Sequence, residues 1–359
     1  MSITRQPFGT MPDGREVSLY TMTNARGASV SCVNYGGLIY SIIVPDKDGK
    51  TDDVAVSPRT LEDMLKPDAN YYNTLVGRYS NRIKNGKFTL NGKEYQLARN
   101  NNGQHTLHGG VSGFSMKYFD ITPAPGCSCC GGADKLILKY TSPDGEEGFP
   151  GTLELTVEYS FDNENALGIK YFAACDQDTP VNLTNHLYFN LAGSASRDAM
   201  GNRMTIYADQ VCECAEGLIM TGRLLDVAGT AYDLRQGKCL ADGLKEGAND
   251  PQMIIGGGYD CNYCINPERR GGKCGEAYDP ASGRVMEIFT DKPGIQLYTG
   301  NMMQTTVTGK SGEKLAKRQG YCLETQYYPD AVNIPEFESP VLKAGDTYEF
   351  FTVYKFSTR

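Results

Sequence analysis

Short β-like runs follow one another along the whole of this 359-residue chain, each closed by Gly, Asn, Asp or Pro. Helical periodicity is nearly absent, and that combination limits the folds open to the chain. Ile3 to Phe8 and Arg15 to Thr23 flank Pro12-Asp13-Gly14, where Pro presets φ and Gly accepts a positive φ. Val30 to Asn34 and Leu38 to Val44 flank Tyr35-Gly36-Gly37. Lys87 to Leu90 and Glu94 to Leu97 flank Asn91-Gly92, a strong two-residue hairpin signal. Leu136 to Thr141, Thr152 to Phe161, Leu167 to Ala174, Val285 to Thr290, Gln296 to Thr299, Gly320 to Thr325 and Thr347 to Phe356 continue the series. Thr60 to Lys66, ahead of Pro67, is a short helix with Thr60 as N-cap and Asp63 at the capping-box position. Asp233-Leu234-Arg235 opens another short turn. Many strands without alternating helices predict an all-β fold, a large antiparallel β-sandwich with few short helices. The absence of a linker or repeat predicts a single domain over 1–359.

Composition narrows the partners. Apolar residues make up 40% and charged residues 22%, enough for a sizeable core under an ordinary surface. A net charge of -8 argues against nucleic acid and against anionic membranes as partners. No apolar run reaches the ~20 residues that span a bilayer. The start, Met1-Ser2-Ile3-Thr4-Arg5-Gln6-Pro7, lacks a signal-peptide apolar region, so a cytoplasmic location is expected. The twelve cysteines are scattered, and Cys32, Cys175 and Cys322 lie inside apolar runs. That usage fits buried reduced thiols rather than a disulfide framework.

Only three histidines serve the chain, and two have specific settings. His108 stands in Leu107-His108-Gly109-Gly110, where paired glycines let backbone approach a ligand closely. Its alternative is a buried histidine in a tight turn. His105, in an Asn/Gly/Gln-rich loop, is expected to face solvent. His186 is flanked by Asn182, Thr184, Asn185 and Asn190 among Leu183, Leu187, Phe189 and Leu191. Alternation gives that segment a polar face, which either meets water or lines a pocket. Glu324 follows Tyr321-Cys322-Leu323 and precedes Tyr327-Tyr328; buried, its pKa would rise and suit it as a base, and exposed it would be an ordinary carboxylate. Histidine and a carboxylate in one pocket form an acid/base couple.

Weaker signals surround these. Arg78 and Arg82, four apart, suggest anion or hydroxyl recognition. Asp260, after Gly256-Gly257-Gly258-Tyr259, reads as a carboxylate presented by a loop. Gln296 lies between apolar neighbours and faces either a pocket or water. Cys127-x-x-Cys130 and Cys261-x-x-Cys264 have zinc-like spacing. However, Cys261-Asn262-Tyr263-Cys264 reads as a strand whose ends point to opposite faces, and 127–130 as a Cys-rich loop tip. Gly256-Gly257-Gly258 lacks the Lys-Ser/Thr of a phosphate-binding loop, and no dinucleotide-binding unit appears. The expectation is therefore a reaction without metal or cofactor.

Together these segments resemble the aldose 1-epimerase (galactose mutarotase) family. The matching motifs are Asn34-Tyr35-Gly36-Gly37, Gly77-Arg78 with Asn81-Arg82-Ile83, Leu107-His108-Gly109-Gly110, Asn185-His186 with Tyr188-Phe189-Asn190-Leu191, Gly258-Tyr259-Asp260, and Leu323-Glu324-Thr325-Gln326 with Pro329. They run in the family's order across about residues 30 to 335. The resemblance implies a galactose mutarotase-like supersandwich with an open sugar cleft. It implies Glu324 as general base, His186 as general acid and His108 near the sugar ring oxygen. Asn81, Arg82, Asp260 and Gln296 match positions that contact sugar hydroxyls. The implied partner is a small-molecule aldose such as galactose or glucose, and a monomer or weak homodimer is expected. Tyr79-Ser80, where small apolar residues are common, and the 127–130 loop depart from the pattern. Rival readings are a hexose-6-phosphate 1-epimerase, which wants arginines clustered on phosphate, and a non-catalytic sugar-binding module on the same fold, which needs no acid/base pair.

Overall fold

Alternating apolar runs pair into three large antiparallel sheets in a computed structural model that describes residues 2–126, 132–193, 198–303 and 306–359. A five-stranded meander opens the chain: Ser2–Thr10, Glu16–Thr23, Ser29–Val33, Ile39–Pro45 and Thr51–Asp53. A nine-stranded sheet is centred on Leu153–Phe161, Ala166–Cys175 and Thr347–Thr358. A six-stranded sheet runs Tyr188–Phe189, Tyr321–Gln326, Gly294–Tyr298, Asp260–Cys264, Gln210–Ala215, Ile219–Asp226. The hairpins expected around Pro12-Asp13-Gly14 and Asn91-Gly92 form as read, with Lys87 opposite Gln96 and Leu90 opposite Lys93.

The nine- and six-stranded sheets share one apolar core. Leu138, Val157, Ile169 and Met286 from the first pack with Tyr263, Ile295, Leu297, Tyr321 and Leu323 from the second. The Tyr354 hydroxyl crosses between them and donates to the Leu323 carbonyl at 2.7 Å, so a buried phenol keeps its hydrogen bond. Because side chains alternate, burying Tyr321, Leu323 and Thr325 against this core turns Cys322, Glu324 and Gln326 to the opposite face. Cys261 and Cys264 likewise lie in different apolar clusters, as a strand requires, and all nine cysteines among the described residues are free thiols. The Cys-rich 127–130 tip lies outside the described residues.

Helices are few. α1 (Leu61–Met64) is capped by the Thr60 hydroxyl, which accepts from the Asp63 amide at 3.2 Å. Two more helices escaped the sequence reading: α2 (Leu240–Glu246) and α3 (Pro251–Gly256). The start of α3 carries a legible signal, Asp250 capping the Gln252 and Met253 amides ahead of Pro251. No helix among the described residues is long and apolar enough to cross a membrane.

Two expectations need correction here. Arg78 does not reach a ligand; it is buried and donates to the Ser142 hydroxyl and carbonyl and to the Pro143 and Pro150 carbonyls at 2.8–3.0 Å. Burial lowers its pKa, and those acceptors explain how a guanidinium survives inside. His105 does not face solvent. It is 5% exposed, and its Nδ1 accepts the Asn85 amide at 3.0 Å. Tyr79, a departure from the family pattern, fills a separate apolar cluster with Ile83, Phe88, Leu97 and Phe149.

Arg78→Leu keeps the bulk and removes every donor. With three carbonyls orphaned at ~1–3 kcal/mol each, urea denaturation should show a loss of several kcal/mol. An unchanged midpoint would show that these bonds do not hold the loops around Ser142 and Pro150.

Candidate active site

Three neighbouring strands deliver the floor of a cleft. The register pairs Gln296 with both Glu324 and Asn262, and Tyr298 with both Cys322 and Asp260. Directly opposed residues share a face, and so do residues two apart, so Glu324, Cys322, Gln296, Tyr298, Asn262 and Asp260 all project to the side away from the core. On that side lies a cleft of about 780 Å³, its open mouth included, within the ordinary size of a small-molecule site. Glu324, His186, His108, Asn81, Arg82 and Asp260 line it, joined by Tyr71, Tyr72, Tyr188 and Tyr298.

His186 is placed by backbone. It lies between Thr184–Asn185, which pairs with Leu75–Val76, and Tyr188–Phe189, which pairs with Tyr321–Cys322. Its amide donates to the Thr74 carbonyl at 2.9 Å, and its carbonyl accepts the Asn73 amide at 3.0 Å. The imidazole then stands with Nε2 3.7 Å from Glu324 Oε1 and Nδ1 3.4 Å from the Cys322 sulfur.

His108 comes from a different layer. Thr106–Leu107 pairs with Arg82–Ile83, and His108 turns with φ 50°. Its Nδ1 accepts the Asn81 amide at 3.3 Å, which fixes the neutral tautomer with hydrogen on Nε2. The His108 and His186 rings meet edge to face with centroids 5.2 Å apart. Gly109 and Gly110 serve this placement differently from the sequence reading. Their backbones approach the protein itself: a Cβ on Gly109 would overlap the Gly77 carbonyl oxygen, and one on Gly110 would overlap the Glu147 carboxylate. Gly109 also holds φ +87°.

The polar segment around His186 is neither solvated nor a pocket wall along its length. Asn182, Asn185 and Asn190 are buried. Asn185 donates to the Tyr159 hydroxyl at 2.7 Å and accepts from the Tyr171 hydroxyl at 2.8 Å. Asn182 accepts the Tyr327 amide at 2.9 Å. His186 alone of that polar set enters the cleft. Gln296 sits behind the lining: its Nε2 donates to Asp260 Oδ1 at 2.7 Å. Asn81 folds its own side chain back to accept the Arg82 amide at 2.8 Å, and Arg82 Nε donates to Asn101 at 3.2 Å.

Burial governs the electrostatics. It pushes Glu324 well above the ordinary carboxylate pKa, with repulsion from Asp260 adding and Arg82 opposing. It lowers His186 to about 4 and His108 well below its ordinary value, with His186 and Arg82 adding to the latter. Asp260 is raised by burial against the pull of Arg82 and the Gln296 bond. The charged form of His186 is therefore disfavoured by burial. Burial thus favours the neutral form of each group. Among the described residues, Glu324 Oε2 and Gln296 Oε1 have no hydrogen-bond partner. The ligand-type atoms of His108, His186 and Glu324 also lie within 4.8 Å of one another, close enough to share a cation. The tyrosines were missed because nothing in Asn70-Tyr71-Tyr72-Asn73 marks which ring meets a histidine from far along the chain.

Gly109→Ala should lower the melting temperature, by strain of ~1–3 kcal/mol plus the clash with Gly77. An unshifted melt would mean that the turn relaxes freely.

A family model for aldose 1-epimerase matches residues 18–355. Galactose mutarotase from Bos taurus is 40% identical over 357 residues, 99% of both chains. Aldose 1-epimerase from Escherichia coli K12 is 32% identical over 351 residues, 96% of both. The crystal structure of a galactose 1-epimerase from Lactobacillus acidophilus superposes with TM-score 0.85 at 25% identity, covering 99% of both.

Proposed function

Because this chain belongs to the aldose 1-epimerase family, we propose that it interconverts the α and β anomers of free hexoses such as galactose and glucose, with Glu324 and His186 as its acid/base pair. The observation that carries the assignment is the buried His186–Glu324 contact at 3.7 Å, beside an unpartnered Glu324 Oε2, on the floor of the cleft.

The chemistry follows from one shared proton. A pyranose hydroxyl donates to the vacant Glu324 acceptor and favours the carboxylate, moving the proton to His186. Glu324 then takes the proton from the anomeric hydroxyl. His186 protonates the ring oxygen as the C1–O5 bond breaks, with the His108 Nε2–H hydrogen bonding nearby. Rotation about C1–C2 turns the other aldehyde face inward, and reversal of both transfers closes the opposite anomer. Asp260, Arg82 and Asn81 hold sugar hydroxyls from the cleft wall, and Gln296 orients Asp260.

The rivals fare less well. A phosphate site loses Arg78 to a structural role, which leaves Arg82 alone of the two. A pure binding module gains nothing from burying an acid/base pair. Buried free thiols support a reducing compartment, the cytoplasm. A contiguous core running from Tyr20 to Phe356 supports a single domain; a monomer or weak homodimer is part of the same proposal.

Polarimetry of freshly dissolved α-D-galactose and α-D-glucose tests the reading. Wild type should accelerate mutarotation, and Glu324→Gln should lose roughly the 10²–10⁴-fold that a proton-transfer group supplies. The wild-type pH profile should be bell-shaped. Its acid limb, near pH 4, marks a second proton entering the pair and removing the base; its alkaline limb, well above the ordinary carboxylate range, marks loss of the only proton. A wild-type rate in Glu324→Gln would sink the base assignment. Activity should also survive exhaustive dialysis against EDTA; loss of rate restored by a divalent cation would replace this mechanism with a metal-assisted one on the same three side chains.

A further inference from the structure

The cleft wall contains a device that nothing in the acid/base pair itself requires. Tyr71 lies half-buried against both histidines, its ring centroid 4.7 Å from His108 at an interplanar angle of 53° and 6.1 Å from His186 at 24°. Its hydroxyl accepts a hydrogen bond from Asn100 Nδ2 at 3.3 Å. The same Asn100 amide nitrogen donates to the Leu107 carbonyl at 2.9 Å and the Gly110 carbonyl at 2.8 Å, and Asn100 Oδ1 accepts the Leu107 amide at 2.8 Å. The two amide hydrogens serve the shorter carbonyl bonds, so Asn100 chiefly braces the turn that carries His108, and the Tyr71 hydroxyl shares one of those hydrogens at longer range.

We infer that Tyr71 is a positioning residue that holds the His108 ring so that its Nε2–H points into the cleft. The inference rests on His108 taking part in the reaction proposed above. Among the described residues, His108 has one side-chain hydrogen bond, at Nδ1 from the Asn81 amide, and that bond at 3.3 Å is long. A single long bond leaves the imidazole free to pivot about it. The Tyr71 and His186 rings, packed against each other as well as against His108, lie beside it and restrict that freedom. A ring held this way presents one donor in one direction, which a misaligned imidazole cannot do. The ring supplies the restraint; the hydroxyl only anchors the ring, so phenylalanine should substitute.

Three variants separate the possibilities: Tyr71→Phe, Tyr71→Leu and Tyr71→Ala. With three histidines in the chain, side-chain ¹H–¹⁵N spectra of the unliganded protein resolve each ring. Wild type and Tyr71→Phe should show His108 as a single Nε2–H tautomer. Tyr71→Leu and Tyr71→Ala should show averaged tautomers. In parallel, kcat should fall roughly 10- to 100-fold in Leu and Ala, part of the ~10²–10⁴-fold a placed proton donor supplies, with KM within about threefold and near-complete recovery in Phe. An unchanged His108 tautomer in the Leu and Ala variants would overturn the proposal. So would a rise in KM alone, which would make Tyr71 a platform for sugar, or a Phe variant as slow as Ala, which would make the hydroxyl the active part. The spectra need no turnover, so they stand or fall separately from the epimerase assignment, which Glu324→Gln tests.

Discussion

Glu324 and His186 are both removed from water and left 3.7 Å apart, and the rest of the site is arranged around that cost. Neither group is comfortable charged where it is: burial raises the carboxyl and lowers the imidazole. Their mutual attraction runs the other way. A pair balanced between a neutral and an ionic form with one shared proton is suited to move that proton in either direction, as reversible anomer exchange demands. Substrate hydroxyls need supply only the last part of the bias.

Holding such a pair takes scaffolding from distant parts of the chain. Glu324 is fixed by antiparallel register against Gln296, His186 by backbone bonds to Asn73 and Thr74, and His108 by the Asn81 amide. Each is attached to backbone or strand rather than to a long exposed loop, so the proposed reacting groups inherit the rigidity of the sheets. The polar residues flanking His186 serve the same end from behind, Asn185 bridging the Tyr159 and Tyr171 hydroxyls deep in the core. The paired glycines after His108 let its turn press against the Gly77 carbonyl, where any side chain would push the histidine out of the cleft.

Much of this was readable from the residues because it is local. Turn chemistry at Asn91-Gly92 and period-two alternation in Tyr321–Gln326 follow from neighbours a few positions apart, and so do strand identity and the face on which Glu324 lies. The six ordered motifs named the residues that converge, since a family resemblance carries tertiary information that spacing does not. What escaped depends on long-range contact. Arg78 looks like a ligand-binding arginine until Ser142 and Pro150 fold over it. His105 looks exposed because its loop is polar, yet the Asn85 amide and Gly217 close around it. Gln296 matches a sugar-contact position, but a strand neighbour, Asp260, takes its amide. The α3 helix was missed for another reason: its Asp250-Pro251 start was legible but short of the apolar period that would have drawn attention to it.

Burial of the pair also decides how the site weighs on the fold. In the unfolded chain Glu324 titrates near its ordinary 4.5 and His186 near 6.5, whereas in the fold Glu324 is raised and His186 is lowered to about 4. Below 6.5 the lowered His186 lacks the proton that the unfolded imidazole carries, so that group costs the fold more as pH falls toward about 4. Above 4.5 the raised Glu324 holds a proton that the unfolded carboxyl has lost, so that group costs the fold more as pH rises toward its folded pKa. Burial that would poise the pair for proton exchange therefore costs the fold through the carboxyl as pH rises and through the imidazole as pH falls.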